Sequence, residues 1–337
     1  MKKYLSAIAI VGISLLGPSC RVGTSGTWVN DHIEPEIKSQ VELLNKQLYD
    51  DIKRQDLTDL KQILSPELIK GAGKSLDSVI NQVGPALKTT SSGYMTIDSY
   101  YVKNTTTNIS NTVMPTISST DDYIVNYLAL NKEMYVSLLK TTGTVNSMLI
   151  IAIYGKHGDD WKLNILQMGE YEIIGKNAPG YYKYALKLYN TGDLIDAADM
   201  IIIAGQIGSP GGTYFKYKNE SEMKDLYSKI LKEANTFYKF PITVNQIKTN
   251  PVIFGVNPQF IGEKGKEGIY PSINYKTNIN LADTAALRKE NDALQKNIAG
   301  IFKGIVTNNN HILYQAFDQL PGLGKKTNRF GFAQKIK

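Results

Sequence analysis

The amino-acid sequence predicts an α+β protein. N-terminal helices pack on a bent antiparallel sheet, a helical connector follows, and a small C-terminal α+β domain ends the chain. Three observations carry that prediction. Residues 36–68 repeat apolar side chains at three- and four-residue intervals. Residues 123–175 are apolar runs broken by tight turns. Residues 282–306 return to helical spacing among short strand-like runs. A chain of 337 residues is long enough for two or three domains, and 42% apolar against 20% charged residues excludes wholesale disorder.

The first helical stripe is Ile37, Val41, Leu44, Leu48 and Ile52, and a second set is Leu57, Leu60, Ile63 and Leu64, stopped by Ser65-Pro66. A third helix is expected over 75–87 through Leu76, Val79, Ile80 and Val83. The first strand spans 94–102, with Met95 and Ile97 on one face and Thr96 and Asp98 on the other. Residues 104–120, rich in Thr, Ser and Asn, read as a long loop or ragged hairpin. Residues 123–175 then form three or four consecutive strands, interrupted at 140–143 and 155–160. Trp161, Leu163 and Ile165 alternate with Lys162 and Asn164, which predicts a sheet with one buried face.

Two helices are expected on either side of Gly192-Asp193, the first through Tyr181, Tyr184, Ala185 and Leu188, the second through Ala197, Ile201 and Ala204. A helix over 220–238 covers their open face. Between 241 and 337, short strands are expected at 242–247, 252–256, 269–275, 312–317 and 330–334. They surround one amphipathic helix, 282–306, with Leu287, Leu294, Ile298, Ile301 and Ile305 on one side and Asn280 and Asp283 as its start signal. The expected organisation is a leader over 1–20, a tether over 21–35, an α+β domain over 36–177, a helical connector over 178–240 and a C-terminal domain over 241–337.

The helical segment 57–65 with Pro66-Glu67-Leu68, and the hairpin 150–165 turning at 155–160, resemble the NTF2-like, cystatin-related fold over residues 36–174. That resemblance implies helices packed over the concave face of the sheet, with room for a pocket. Its members range from isomerases and dehydratases to pure binding modules, so it implies no particular activity. Residues 179–210 resemble one tetratricopeptide-type hairpin. A single copy makes no array groove, and the hairpin reads as a connector or as a peptide site.

The leader has the three parts of an export signal: Lys2 and Lys3, an apolar run over 4–16, and small or turn-forming residues over 17–19. The run is shorter than the about 20 residues a permanent span needs. It resembles a bacterial lipoprotein signal, which implies a lipid on Cys20 and anchorage at the cell envelope; ordinary cleavage before Cys20 is the other reading. Cys20 is the only cysteine of the chain, so no intrachain disulfide forms. Residues 21–35 read as a flexible tether. Of the net charge of +7, two charges sit in the leader and five in the tail from 321 onward, leaving 31 bases against 31 acids in between. A neutral body lacks the basic face that nucleic acid requires.

Signatures of chemistry are few. Residues 71–75 (GAGKS) resemble the end of a phosphate loop, but Leu68 stands where the motif needs glycine and a helix, not a strand, precedes it. His32, His157 and His311 are isolated, with no metal-ligand spacing, and no nucleophile elbow is present. No cofactor or metal is expected. Asp121-Asp122 and Asp159-Asp160 fall in turns, where Asp is favoured by the backbone. The pocket candidates are Glu170 and Glu172, which share a strand face, and Asp98, each beside a tyrosine such as Tyr154 or Tyr171. Two functions follow. One is a non-catalytic envelope module that binds a protein partner or a small ligand. The other is a pocket isomerase, lyase or hydrolase using Glu170 or Asp98 with a tyrosine.

Overall fold

Side-chain alternation in the central strands decides the architecture. The computed structural model describes residues 23–116, 119, 121–263, 265–322 and 326–336. Its main sheet has the order β1 (Thr24–Val29), β2 (Gly93–Asn104), β5 (Glu133–Thr142), β6 (Ser147–His157) and β7 (Asp160–Glu172), with every neighbouring pair antiparallel. Successive residues of a strand point to opposite faces. Met134, Val136, Leu138, Leu149, Ile151 and Ile153 go to one face, and Tyr135, Leu139, Ile150, Ala152 and Tyr154 to the other. Strands apolar at nearly every position need cover on both faces, and the sheet has it. The expectation of one buried face is corrected accordingly. It came from the edge strand β7, where Lys162 is half-buried but Asn164 is fully buried.

Four helices cover one face: α1 (Pro35–Arg54), α2 (Leu57–Ile63), α3 (Pro66–Ala72) and α4 (Lys74–Thr90). Pro35 opens α1, and Gln55 ends it in the left-handed conformation. The Asp56 side chain then accepts from the Asp59 N–H (3.1 Å), and the Ser65 hydroxyl from the Leu68 N–H (3.2 Å), so each short helix has its own cap. Val41, Leu48, Ile52, Leu60, Ile63, Ile80 and Leu87 meet Tyr101, Tyr135, Tyr154, Trp161 and Leu163 of the sheet. Each such burial stabilises by about 1.5–3 kcal/mol. Side chains fill the centre of this interface, and at its β7 edge a pocket of about 540 Å³ lies between α3, α4 and β7, lined by Leu68, Ala72, Leu76, Leu166 and Met168.

The opposite face is covered by a second, three-stranded sheet and by helices. The small sheet is β3 (Ile109–Val113), β4 (Tyr123–Ala129) and β8 (Phe215–Tyr217), all antiparallel. Two expectations change here. Residues 109–113 form a strand within the stretch that read as a long loop or ragged hairpin, and residues 123–129 leave the main sheet to pair with it. The supposed tether also contains β1, which zips along β2 and lays Trp28 against Tyr101 with ring centres 5.3 Å apart.

Helices α5 (Ala178–Thr191), α6 (Leu194–Gln206) and α7 (Glu220–Tyr238) lie where the periodicity predicts them. Gly192, at φ +77°, makes the left-handed turn between the first two. The C-terminal sheet has the order β13 (Arg329–Lys335), β12 (His311–Phe317), β11 (Gly268–Lys276), β10 (Val252–Ile261), β9 (Ile242–Thr243). Only the β11–β12 pair within it is parallel, and such a pair needs a long crossover, supplied here by α8 (Thr284–Ile301) and α9 (Ile305–Asn308). Ile273, Tyr275, Leu287, Leu294, Ile298 and Tyr314 belong to the same buried cluster as Tyr181, Leu188 and Ile201 of the helices and Val136 and Ile151 of the main sheet. One core therefore runs from the main sheet through the helices into the C-terminal sheet.

Candidate ligand pocket

The acids and tyrosines singled out from the sequence do not form one constellation. Tyr154 is wholly buried under α1, and its hydroxyl donates to Asn45 Oδ1 (2.9 Å), whose Nδ2 donates to Ser137 Oγ (3.0 Å). Glu170 is exposed on the edge strand. Glu172 pairs with Lys140 at 3.0 Å and accepts from Ser147 Oγ at 2.9 Å. Tyr171 is half-buried against the core of the opposite face from Tyr154, and burial pushes its hydroxyl pKa up. Asp98 does meet a tyrosine, though a different one. It accepts from the Tyr123 hydroxyl and from Asn30 Nδ2 (2.8 Å), and Tyr123 in turn shares a 2.8 Å hydrogen bond with Tyr100. This chain ties the 3₁₀ turn after β1 to β2 and β4. Burial pushes the Tyr123 hydroxyl far above its usual range.

The chemistry that sequence reading missed lies on α6. Leu194, Ile195, Ala197, Ala198, Met200, Ile201, Ile203 and Ala204 are all buried, so the helix is enclosed nearly all round. Two acids are buried with them, Asp196 (4% exposed) and Asp199 (2%). Three residues apart, they share a helix face. Asp196 is satisfied: its Oδ1 accepts from Asn309 Nδ2 (2.7 Å) and its Oδ2 from Asn308 Nδ2 (2.9 Å), both from the end of the α8–α9 crossover. Asp199 Oδ2 is buried with no hydrogen-bond partner. Burial, with the Asp196 charge adding to it, pushes the Asp199 carboxyl well above its ordinary value.

Both acids line a cavity of about 140 Å³ between the α5–α6 hairpin and the C-terminal sheet. Tyr181, Tyr184 and Leu188 come from α5, Met200 from α6 and Ile269 from β11, while exposed Lys176 and Asn308 stand at the rim. The Tyr181 hydroxyl is spent on the Ile173 carbonyl (2.7 Å). The cavity thus joins apolar side chains to two buried acids, and the unpaired Asp199 Oδ2 is itself closed off from solvent. A signal for it exists in the sequence: Asp193, Asp196 and Asp199 recur every third residue in a segment otherwise apolar on every side. A helix apolar all round is a buried helix, and so are its acids.

Among the described residues no group of three or more His, Cys, Asp and Glu side chains could hold a metal ion, and no helix is long and apolar enough to cross a membrane. Cys20 lies outside the described residues. Comparison with protein families, with curated proteins and with solved structures finds no match for this chain.

Proposed function

We propose that the chain is an exported protein, anchored at the cell envelope by a lipid on Cys20, that binds a small ligand without chemistry in the cavity beside Asp199. The leader supports export, and the position of the only cysteine supports lipidation. The NTF2-like reading of residues 36–174 is supported by four helices on one face of an antiparallel sheet. Space lies on that face as well, between α3, α4 and β7, besides the smaller cavity against the helical hairpin. The observation that carries the proposal is a cavity lined by two buried acids, Asp196 and Asp199, together with Tyr184, Leu188, Met200 and Ile269.

The test is native mass spectrometry of the full chain, purified gently from the membrane fraction and compared with the same protein after denaturation and refolding. A discrete added mass that disappears on denaturation, and is missing from Asp199→Asn, is the expected result. An added mass retained by Asp199→Asn would place the ligand elsewhere. The enzyme reading has one observation in its favour, the Asp98–Tyr123 pair. A turnover abolished by both Asp98→Asn and Tyr123→Phe would replace the binding reading with it.

A further inference from the structure

The C-terminal sheet buries one face only. Ile312, Tyr314 and Ala316 of β12 and Ile273 and Tyr275 of β11 belong to the core. Alternation therefore turns Leu313, Gln315 and Phe317, with Asn274 and Lys276, to the other face, where all five are half-buried. The strand register aligns these residues in rows. One row is Lys276, Phe317 and Arg329. A bulge in β10 brings Phe254 to the same face, its ring 5.2 Å from that of Phe317. The next row is Gly255, Asn274, Gln315 and Gly331, a shallow trough with amides at its centre. Exposed Lys335 stands about 20 Å beyond Arg329 along β13, at a rise of about 3.3 Å per residue.

The charge on this face has one sign. None of β10, β11, β12 and β13 contains an acid. Among the described residues, Lys276, Arg329 and Lys335 make no ion pair, and the side-chain amides of Asn257, Asn274 and Gln315 make no hydrogen bond. The acids that flank these strands in the chain are engaged elsewhere. Glu263 pairs with Lys266 at 2.7 Å, Glu267 accepts from the Gly265 N–H (2.7 Å), and Asp318 accepts from Asn328 Nδ2 (2.8 Å). A nucleic acid carries a phosphate at every nucleotide, denser than three bases over this length. It also needs open ring faces for stacking, whereas Phe254 and Phe317 meet edge to face at 72°. A neutral glycan would leave the bases without a partner.

We propose that this face docks a linear acidic polysaccharide. Its carboxylates sit at Lys276, Arg329 and Lys335, its hydroxyls at the amide row, and the C–H faces of its sugar rings on Phe317 and Leu313. The planar fork of Arg329 takes a carboxylate through two parallel hydrogen bonds. The face is separate from the Asp196–Asp199 cavity, which meets β11 through Ile269 on the core side of the sheet.

The test follows the fluorescence anisotropy of end-labelled hexagalacturonate titrated with the full chain in detergent. Labelled maltohexaose, a short oligothymidylate and a glutamate hexapeptide are titrated in parallel. Saturable binding is expected for hexagalacturonate alone, weakening as salt is added. Lys276→Gln combined with Arg329→Gln should weaken it at least about tenfold, and Lys335→Gln alone should weaken it severalfold. Lys229→Gln with Lys232→Gln, on α7, should leave it unchanged. Oligothymidylate or the glutamate peptide binding as tightly would overturn the polysaccharide assignment, and maltohexaose doing so would deny the bases their part. Absence of saturable hexagalacturonate binding, or binding that survives both sets of sheet substitutions, would overturn the proposal.

Discussion

Tyr154 was a candidate catalytic tyrosine by sequence and is a structural one by position, and that difference can be measured. Tyr154, Asn45 and Ser137 are 0%, 2% and 0% exposed, so none of their polar atoms has water to fall back on. Tyr154→Phe removes one hydrogen bond and strands Asn45 Oδ1, at a cost of about 1–2 kcal/mol. Asn45→Leu strands the Tyr154 hydroxyl and the Ser137 hydroxyl together, at about 2–4 kcal/mol. The double variant strands only Ser137, because the phenyl ring has nothing left to satisfy. It should therefore cost less than the sum of the single changes by about 2–4 kcal/mol. Urea denaturation of all four proteins, followed by tryptophan fluorescence, gives the cycle; Trp161 packs in the same core. Strict additivity, or a Tyr154→Phe protein as stable as wild type, would refute the assignment of this trio to the core.

The acids of α6 make stability depend on pH with a definite sign. Asp199 has its folded pKa raised above the ordinary 3.8 by burial, so its contribution is fully present below that value and is lost as pH rises through the raised one. Thermal melts from pH 4 to 8 should show Asp199→Asn gaining on wild type as pH rises, by about 1–3 kcal/mol at the upper end. A constant gap would deny the burial. Gly169 is fixed by contact: a Cβ there would lie 2.4 Å from the Pro210 carbonyl oxygen, so Gly169→Ala should cost about 1–3 kcal/mol in urea, and a neutral result would show that the strand edge is not closed there. For the proposed anchor, Cys20→Ser should move the protein from the membrane pellet to the soluble fraction and remove acyl mass from its N-terminal peptide. An unchanged pellet fraction would reject the lipid anchor.

The helices were legible because their apolar stripes face a single partner, and periods of three and four residues survive that arrangement. Strand pairing was less so. Residues 123–129 and 133–142 read as neighbours in one sheet because they are consecutive and equally apolar, yet only the second joins the main sheet. Nothing local distinguishes them. The choice is made by β3 and by the three-residue β8, about ninety residues further on, which a window of local pattern cannot contain. The same limit hid β1. Its Gly, Ser and Thr have the composition of a linker, and its order comes from pairing along β2, with Trp28 against Tyr101 and Lys103.

The site was overlooked for a different reason. Carboxylates that strands and turns present beside tyrosines have the local pattern of acid–base chemistry. Glu170, Glu172 and Asp98 fit that pattern and are solvated, ion-paired or hydrogen-bonded into the frame. Asp196 and Asp199 fail it, since they sit inside a hairpin that reads as a connector. What marks them is the cost of their position: ten of the thirteen residues of α6 are buried, and two of those ten are acids. Burial of a carboxyl opposes folding unless a partner offsets it. Asp196 has its partners in Asn308 and Asn309, more than a hundred residues away in sequence. Asp199 stands three residues further along the same helix, in the same environment, and its partner is not in the chain. Burial therefore holds the second acid toward its neutral form, and its raised pKa is the mark of a position that no side chain of the chain compensates.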